Sequence, residues 1–347
     1  MTDHNPAADR IVSDLLVVGA GPVGLFATYY AGFRGLTVAL VDSQPEAGGQ
    51  ITALYPAKLI HDVAGFPGVT GSDLVAGLLS QARRYEPRIR FDATVVDLVR
   101  NEDGTSLIAT LADGSAIQSR AVVLATGVGG IQPRTLPLGH EWHGRGVTYV
   151  VSDPAAHQGE DVVVVGGGDS ALDWALALQP FARSVTVVHR RRAFRAHAGS
   201  LTRARAEGVV LLTECELQAV RGDDRVSSVA LRDSTGAERE LPADTVVGAL
   251  GLVTAPSPFA AWGLEVRSGR IAVDHSMQTH LAGVFAAGDA STYPGKVALM
   301  ATGFGEAATA VNHAAVLVDP ELTLLPGHST DDDLAPPTAT HSARPDR

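Results

Sequence analysis

The sequence contains a single cysteine, Cys215, among its 347 residues. One cysteine cannot build a disulfide framework within the chain, a CxxC redox pair or a cysteine-based metal site. We therefore expect no metal centre. Any redox chemistry in this chain has to proceed without an internal dithiol.

The sequence also lacks the features of a secretory signal and of a membrane span. Residues 1–14 contain acids and a proline, but neither a basic start nor an apolar core. The uncharged run from Leu15 to Phe33 is interrupted by glycines and by Pro22, which favours a strand, a turn and a helix. The formal net charge of -11 disfavours nucleic acid and anionic membranes as partners. We expect a cytoplasmic α/β protein.

A glycine pattern near the N-terminus predicts a dinucleotide-binding turn. Gly19, Gly21 and Gly24 form GxGxxG directly after an apolar run. In such a turn the glycines allow a tight bend, close approach of the backbone to a pyrophosphate, and close packing of the helix on the strand. Pro22 suits the first helical position, where its missing N–H has no partner in any case. The next apolar run ends in Asp42, at the spacing where a carboxylate binds an adenosine ribose.

Two further segments are candidates for a binding site. The stretch Pro45–Pro67 is rich in glycine and proline and longer than an ordinary connection, so we expect it to carry binding residues. Far downstream, a short apolar strand ends in Gly288 and Asp289, and a helix-forming segment follows. A carboxylate there suits a chain of hydroxyl groups, and the helix dipole would stabilise negative charge on a reduced flavin. Asp289 taken alone is also compatible with an ordinary strand of an α/β core.

A second glycine pattern predicts a second dinucleotide site. Gly166, Gly168 and Ala171 give GxGxxA after a run of valines, with alanine as the third small residue. Asp169 and Ser170 begin the helix that follows and belong to the predicted site.

Basic residues after the second pattern indicate which nucleotide it binds. Where the first site offers Asp42, the second offers His189, Arg190 and Arg191, with Arg195 nearby. A carboxylate would repel a ribose 2'-phosphate, whereas an arginine fork binds it in a bidentate manner. The sequence therefore predicts NADP(H) rather than NAD(H) at this site.

The arginines lie in a window without acids, residues 181–206, although the whole chain is acidic. Arg183, Arg203 and Arg205 fall in the same window. For these three, a solvated basic face and phosphate binding stay equally open.

Together the motifs resemble the two-domain flavin reductases built like thioredoxin reductase. Thioredoxin reductase carries a CxxC before its second fingerprint, but residues 144–160 contain no cysteine here, which excludes reduction of a disulfide by a dithiol. The closer resemblance is to the ferredoxin–NADP reductases of the thioredoxin reductase type. It covers about residues 13–330 and is carried by GGQITALYP, HDVAGFP, GGGDSALDWAL, HRRRAFRAH, TYPGKV, GFGEAATAVNHA and GHST.

The resemblance implies roles for several residues toward FAD. Asp42 is expected to bind the FAD ribose, and Gln50 to line the flavin. Val95 and Ile131 are expected near the cofactor through backbone or packing contacts. Asp289 is expected to meet the ribityl chain. Asp42 stands where glutamate is common in the family.

The same resemblance implies groups stacked on both faces of the flavin. Tyr55 matches one of them, and His328 in GHST, beside Thr330, matches the other. In the family the second group comes from a C-terminal extension that reaches across a dimer. A homodimer is therefore implied.

The implied fold class is α/β, with two Rossmann-like nucleotide-binding domains and the NADP domain inserted into a discontinuous FAD domain. The predicted layout is a flexible N-terminus at 1–12, FAD-binding parts at 13–127 and 253–330, an NADP-binding domain at 128–252, and a disordered acidic tail at 331–347.

The implied activity is electron transfer between NADPH and ferredoxin or flavodoxin through FAD, without a side chain acting as general acid or base. Docking of an acidic ferredoxin requires a local basic surface. Its candidates are Lys58, Arg83, Arg84, Arg88 and Arg90. For any one of them, an ordinary solvated helix residue stays an equally open alternative. Two alternatives stay open: an NADPH-dependent diaphorase or oxidase that reduces flavins, quinones or oxygen, and a non-catalytic redox sensor that binds both nucleotides.

Overall fold

A computed structural model describes residues 11–54, 56, 58–129, 131–254 and 258–327. These residues form two compact units, which we call the split unit (11–129 and 258–327) and the inserted unit (131–254). The predicted α/β fold, with one unit inserted into a discontinuous one, is confirmed. The predictions for Tyr55, His328, Thr330 and the acidic tail lie outside the described residues.

The first part of the split unit contains eight strands and three helices. They are β1 Ile11–Val18, α1 Pro22–Phe33, β2 Val38–Val41, α2 Gln50–Leu54, β3 Leu59–Ile60, β4 Val69–Thr70, α3 Gly71–Arg83, β5 Arg88–Arg90, β6 Val95–Arg100, β7 Leu107–Leu111 and β8 Ala116–Leu124. Strand β1 starts at Ile11 and pairs with β8 from there, so residues 11 and 12 belong to the sheet and not to the predicted flexible N-terminus.

The inserted unit contains ten strands and two helices. They are β9 Ile131–Pro133, β10 Val147–Thr148, β11 Asp161–Gly166, α4 Asp169–Leu178, β12 Ser184–His189, α5 Ala198–Ala206, β13 Val210–Thr213, β14 Cys215–Gly222, β15 Val226–Asp233, β16 Glu238–Pro242, β17 Thr245–Ala249 and β18 Leu252–Thr254. Short 3-10 helices lie at His140–Trp142 and Pro154–His157.

The chain then returns to the split unit. The returning elements are β19 Val266–Arg267, β20 Arg270–Ala272, β21 Val284–Ala286, β22 Ser291–Thr292 and α6 Met300–Val318, with 3-10 turns at Pro258–Ala260 and Gly288–Ala290.

The main sheet of the split unit has the order β5-β2-β1-β8-β7-β6, and β21 pairs with the end of β8. Strands β5, β2, β1, β8 and β21 are parallel, so their carboxyl ends meet at one edge. The two faces of β1 belong to different cores: Leu15 and Val17 pack with α1, α3 and α6, while Leu16 and Val18 pack with the residues around Phe259 and Ile271. Burial on both faces explains why β1 reads as a continuous apolar run.

The inserted unit is built on a parallel sheet of order β10-β17-β11-β12-β13. Helices α4 and α5 cover one face, and the antiparallel sheet β14-β15-β16 packs on the other. Cys215 lies in this second core, where its thiol is buried. The single cysteine therefore fills space in the core of the inserted unit.

An arginine directly after α1 anchors the chain that follows α6. The buried Arg34 guanidinium donates to Asn312 Oδ1 on α6, to Thr323 O at 2.6 Å and to Leu324 O at 3.4 Å. Burial lowers the pKa of Arg34 from its usual value. The segment after α6 is thus held against α1 by a buried cation.

Within the ranges described above, no helix is both long and apolar enough to cross a membrane. The same residues contain no group of three or more His, Cys, Asp or Glu side chains placed to hold a metal ion.

Candidate functional site

The first glycine turn lies at the carboxyl edge of the split unit's sheet. Gly19 has a φ of +106°, and a Cβ there would lie 2.4 Å from Ala125 O, so only glycine fits. A Cβ at Gly24 would lie 1.7 Å from Gly19 O, because α1 packs directly on the turn. Gly21 is the N-cap of α1, and a Cβ there would meet nothing within 4 Å. The first N–H groups of α1 therefore face open space, as an anion-binding helix end requires.

Asp42 lies beside this turn, at the end of β2. Its Oδ2 accepts from Ala20 N at 2.5 Å and its Oδ1 accepts from Gln44 N at 2.8 Å. The residue is 8% exposed. Burial raises the pKa of Asp42, and the two backbone donors oppose that shift. The carboxylate is thus fixed next to the N-terminus of α1.

The segment after Asp42 folds back over the turn. Gly48 N donates to Ala20 O at 2.9 Å, and a Cβ on Gly49 would lie 3.3 Å from Gly21 Cα. Gln50 begins α2, and its Nε2 lies 3.1 Å from the position a Cβ would take on Gly127. The predicted residue Gln50 is therefore brought to the end of β8.

A buried hydroxyl at the end of β8 has no partner. Thr126 Oγ1 makes no hydrogen bond within the described part of the chain. Buried polar atoms are almost always hydrogen-bonded, so an unpaired hydroxyl beside the glycine turn is consistent with a bond to a bound molecule. The sequence analysis did not assign a role to Thr126.

The strand end at Gly288 and Asp289 lies against both α1 and α6. Gly288 has a φ of +68°, and a Cβ on it would lie 3.0 Å from Val23 on α1. A Cβ on Gly303, in the first turn of α6, would lie 3.4 Å from Gly288 Cα. Asp289 is partly exposed, and its carboxylate has no hydrogen bond or ion pair to the described residues. It is therefore free to bind hydroxyl groups.

The second glycine turn, in the inserted unit, resembles the first turn at Gly19–Gly24 in its close packing and in its open helix end. A Cβ on Gly166 would lie 2.2 Å from Ala249 O, and the Ala171 side chain is buried beside that turn. Gly168 is the N-cap of α4, and a Cβ there would meet nothing within 4 Å. The predicted residues Asp169 and Ser170 form the start of α4.

The side chain of His189 packs against the second glycine turn at Gly167. The residue is 7% exposed, its ring stacks on Phe194 with centroids 5.1 Å apart, and its Nε2 lies 3.1 Å from Ala193 O. A Cβ on Gly167 would lie 2.1 Å from its Nδ1. Burial, followed by the charges of nearby arginines, lowers the pKa of His189. Its position beneath the turn therefore favours the neutral imidazole over the charged form.

The arginine segment is tied to the glycine turn at two points. Arg195 N donates to Gly167 O at 2.7 Å, and His197 N donates to Asp169 Oδ1 at 2.8 Å. Arg190 and Arg191 are exposed, and in the described residues no carboxylate pairs with either guanidinium. The structure thus presents unpaired cations beside the N-terminus of α4.

Other basic residues of the same window are engaged elsewhere. Arg183 pairs with Asp161 at 2.7 Å and with Asp244 at 3.0 Å, at the opposite end of β11 from Gly166. Arg203 pairs with Glu207 on the surface of α5. For these two arginines the solvated-face alternative is favoured.

The proposed docking residues lie on the split unit, but not all of them present a free charge. Arg90 bonds Ser115 Oγ at 2.9 Å and pairs with Asp113 at 2.8 Å. Arg83 and Arg88 are exposed at the end of α3 and on β5.

Two of the residues expected near FAD have positions that do not decide their roles. Val95 is buried in the core, two residues after Ala93, whose N–H donates to Asp42 O at 2.8 Å. Ile131 opens β9 of the inserted unit, where its backbone pairs with Thr254. Their contacts with a cofactor stay predictions, as do those of Tyr55, His328 and Thr330.

Sequence reasoning missed a buried ion pair behind Asp289. Lys296 and Glu306 join at 2.8 Å, with side chains 5% and 4% exposed. Both residues stand in quoted motifs, TYPGKV and GFGEAATAVNHA, to which no role was assigned. The available signal was the single acid in the sequence of α6, which contains no lysine or arginine.

Comparison with known proteins places the chain in a family. A model of the pyridine nucleotide-disulphide oxidoreductases matches residues 13–314. A ferredoxin–NADP reductase of Nocardioides sp. is 52% identical over 328 residues, which are 94% of this chain and 99% of that protein. One from Thermus thermophilus is 47% identical over 332 residues, which are 94% of this chain and 98% of that protein.

Solved structures of similar fold include thioredoxin reductases. That of T. acidophilum has a TM-score of 0.71 at 25% identity and covers 89% of this chain and 99% of its own. That of Lactococcus lactis has a TM-score of 0.71 at 26% identity and covers 88% and 99%. The chain therefore belongs to the pyridine nucleotide-disulphide oxidoreductases and, among them, to the ferredoxin–NADP reductases that share the fold of thioredoxin reductase.

Proposed function

We propose that this protein is an FAD-dependent ferredoxin–NADP(+) reductase that transfers electrons between NADPH and ferredoxin or flavodoxin. The observation that carries the proposal is a pair of glycine turns with opposite charge at equivalent strand ends. One turn carries the carboxylate of Asp42, and the other is followed by the unpaired cations Arg190 and Arg191.

The split unit has residues that fit FAD. The open end of α1 at Gly21 suits the pyrophosphate, and Asp42 suits the adenosine ribose. The unpaired Thr126 hydroxyl and the unpaired Asp289 carboxylate would find partners on a bound nucleotide. When bound, FAD supplies a two-electron acceptor that releases electrons singly.

The inserted unit has residues that fit NADPH. The open end of α4 at Gly168 suits its pyrophosphate, and Arg190, Arg191 and Arg195 would bind its 2'-phosphate. The His189 ring packs against Gly167 and Phe194, so we assign it to support the turn on which the nucleotide would lie.

The protein's contribution to the chemistry is orientation and electrostatics. Hydride transfer between a nicotinamide and a flavin needs no general acid or base. Binding energy at the two glycine turns fixes each nucleotide, and Asp289 with the N-terminal end of α6 orients the flavin side. Stacking by Tyr55 and His328, and a homodimer that supplies His328 from the other subunit, belong to the same proposal.

The electron acceptor must come from outside the chain, because the single cysteine is buried and cannot form a redox pair within the chain. An acidic ferredoxin would dock on the exposed basic residues near the end of α3, of which Arg83 and Arg88 are free of ion pairs in the described residues.

One experiment separates the proposal from the two alternatives. The purified protein is mixed anaerobically with NADPH or NADH, and cytochrome c reduction is followed with and without ferredoxin. Rapid bleaching by NADPH together with strong acceleration by ferredoxin is expected. Bleaching without a ferredoxin effect would indicate a diaphorase, and a flavin that NADPH does not reduce would indicate a sensor.

A further inference from the structure

Both backbone polar groups of Gly288 are held by one buried ion pair. Glu306 Oε2 accepts from Gly288 N at 2.7 Å, and Lys296 Nζ donates to Gly288 O at 2.5 Å. Gly288 directly precedes Asp289. The ion pair therefore fixes the peptide groups on both sides of Gly288, and the second of these leads into Asp289.

The pair is fully satisfied by its surroundings. Lys296 Nζ also donates to Ser291 Oγ at 2.6 Å and to Glu306 Oε2 at 2.8 Å, which uses its three N–H groups. The second oxygen, Glu306 Oε1, accepts from Tyr293 O–H at 2.8 Å. Burial and the nearby Glu306 carboxylate raise the pKa of Tyr293 to about 12. Both charged groups of the pair are therefore engaged by neighbouring groups of the chain itself.

Stability alone does not account for such a pair. Removing two charges from water is costly, and apolar residues of similar size often stabilise a core at least as well. Lys296 is one of two lysines in the chain, and Glu306 is the only acid of α6. Their bonds converge on the turn Gly288–Ala290 rather than on the body of α6.

We propose that Lys296 and Glu306 are positioning residues that hold Asp289 in the orientation needed for the ribityl chain of FAD. This inference rests on the proposed function of the split unit. It assigns to the pair an effect on FAD affinity that is transmitted through Asp289.

The test uses FAD affinity, measured by quenching of flavin fluorescence on titration of the apo-protein. The variants are Lys296→Met/Glu306→Met, Asp289→Asn, and the combination of all three. The paired methionines are chosen because a single substitution would leave one buried charge unpaired and could prevent folding. Thermal unfolding of each apo-protein reports its stability separately, and Arg267→Met, which breaks the exposed pair with Glu265, is the control.

The paired methionine variant is expected to weaken FAD binding by about tenfold or more, since it removes two charge-assisted hydrogen bonds from the turn. The added effect of Asp289→Asn is expected to be much smaller in that variant than in the wild type, because both changes remove the same interaction. The single variant Lys296→Arg keeps a cation beside Glu306, so it is expected to bind FAD more tightly than the paired methionine variant does. The visible circular dichroism of the bound flavin is expected to differ between the wild type and the paired methionine variant.

Fully multiplicative effects of the two changes, or unchanged FAD affinity in a folded paired variant, would overturn the inference. A wild-type protein that binds no FAD would instead overturn the proposed function. The two failures are therefore distinguishable.

Discussion

Asp42 and Arg190 occupy equivalent positions, and we expect the charge at this position to set the choice of nucleotide. Asp42 follows β2 and Arg190 follows β12, and each of these strands comes directly after the helix that a glycine turn begins. Asp42 is buried and fixed by two backbone donors, whereas Arg190 is exposed and unpaired within the described residues. The first arrangement suits ribose hydroxyl groups, and the second suits a phosphate.

Neutralising the exposed arginines should therefore affect NADPH far more than NADH. For Arg190→Ala/Arg191→Ala we expect the KM for NADPH to rise by about 100-fold, because each charge-assisted hydrogen bond contributes about 1.5–3 kcal/mol. The KM for NADH should change little. Steady-state kinetics with both nucleotides measures this, with Arg203→Ala, whose guanidinium pairs with Glu207, as the control. Equal effects on both nucleotides would contradict the assignment.

A substitution at Gly21 should change FAD binding without changing the stability of the fold. Its φ is -67° and a Cβ would meet nothing, so Gly21→Ala should leave the apo-protein's free energy of unfolding within about 0.5 kcal/mol of wild type. The added methyl group would occupy the space in front of α1, and FAD binding should weaken strongly.

Calorimetry of the apo-protein and FAD titration measure the two effects of Gly21→Ala. The control is Gly77→Ala, at an open position in α3 where alanine should stabilise the helix by about 1 kcal/mol without changing FAD binding. Tight FAD binding by Gly21→Ala would argue against a pyrophosphate at α1.

His189 should make the stability of the inserted unit depend on pH. Its pKa is lowered in the folded state, so the unfolded chain binds more protons as the pH falls below about 6.5. This contribution to stability is fully present above that pH and is lost as the pH falls toward the lowered pKa. Thermal unfolding between about pH 7.5 and 5 should show the loss, and His189→Gln should reduce it. The exposed His140→Gln variant should keep the wild-type slope.

At the scale of elements, α1 and α6 form the side of the split unit on which the candidate FAD residues converge. Val23 on α1 touches Gly288, Gly303 on α6 approaches the same residue, and Arg34 ties the chain after α6 back to α1. The two helices are therefore joined at both ends.

Loss of the Arg34 anchor should release the segment after α6. For Arg34→Met we expect the free energy of unfolding to fall by about 2–4 kcal/mol, since three acceptors lose a charged donor. Limited proteolysis should cut faster after Val318. Arg100→Met, which removes an exposed guanidinium bound to Ala282 O, is the control and should be cut at the wild-type rate.

Sequence patterns predicted the glycine turns of the two sites, but not the side chains that interact with them from distant parts of the sequence. GxGxxG and GxGxxA identified both turns because the backbone there admits only small residues, as the contacts of Gly19 and Gly166 demonstrate. The sequence analysis assigned no role to Thr126 or Lys296, because their importance depends on burial and on partners that are distant in the sequence. The engagement of Arg90 with Asp113 was equally invisible, since the two residues lie on different segments.

At the scale of the whole molecule, a net charge of -11 opposes the approach of an acidic partner. Reduction of ferredoxin should therefore depend on the local basic surface of the split unit. Raising the ionic strength from about 0.05 to 0.5 M should lower kcat/KM for ferredoxin by about tenfold, and leave that for a small neutral quinone unchanged.

Charge reversal locates that surface. Arg83→Glu/Arg88→Glu should reproduce the loss at low salt, whereas Arg239→Glu on β16 should not. A rate with ferredoxin that does not respond to salt would argue against docking at this surface.

The chain enters and leaves the inserted unit through neighbouring strands, β9 and β18, whose residues 131–133 and 254–252 pair in antiparallel register. Opposite residues in such a pair lie about 5 Å apart. The whole inserted unit can therefore be added at a single point in the chain of the split unit, without changing the path of any strand in the split unit. By the same geometry, exchanging that block for another with adjacent ends would change the electron donor while leaving the flavin half of the enzyme intact.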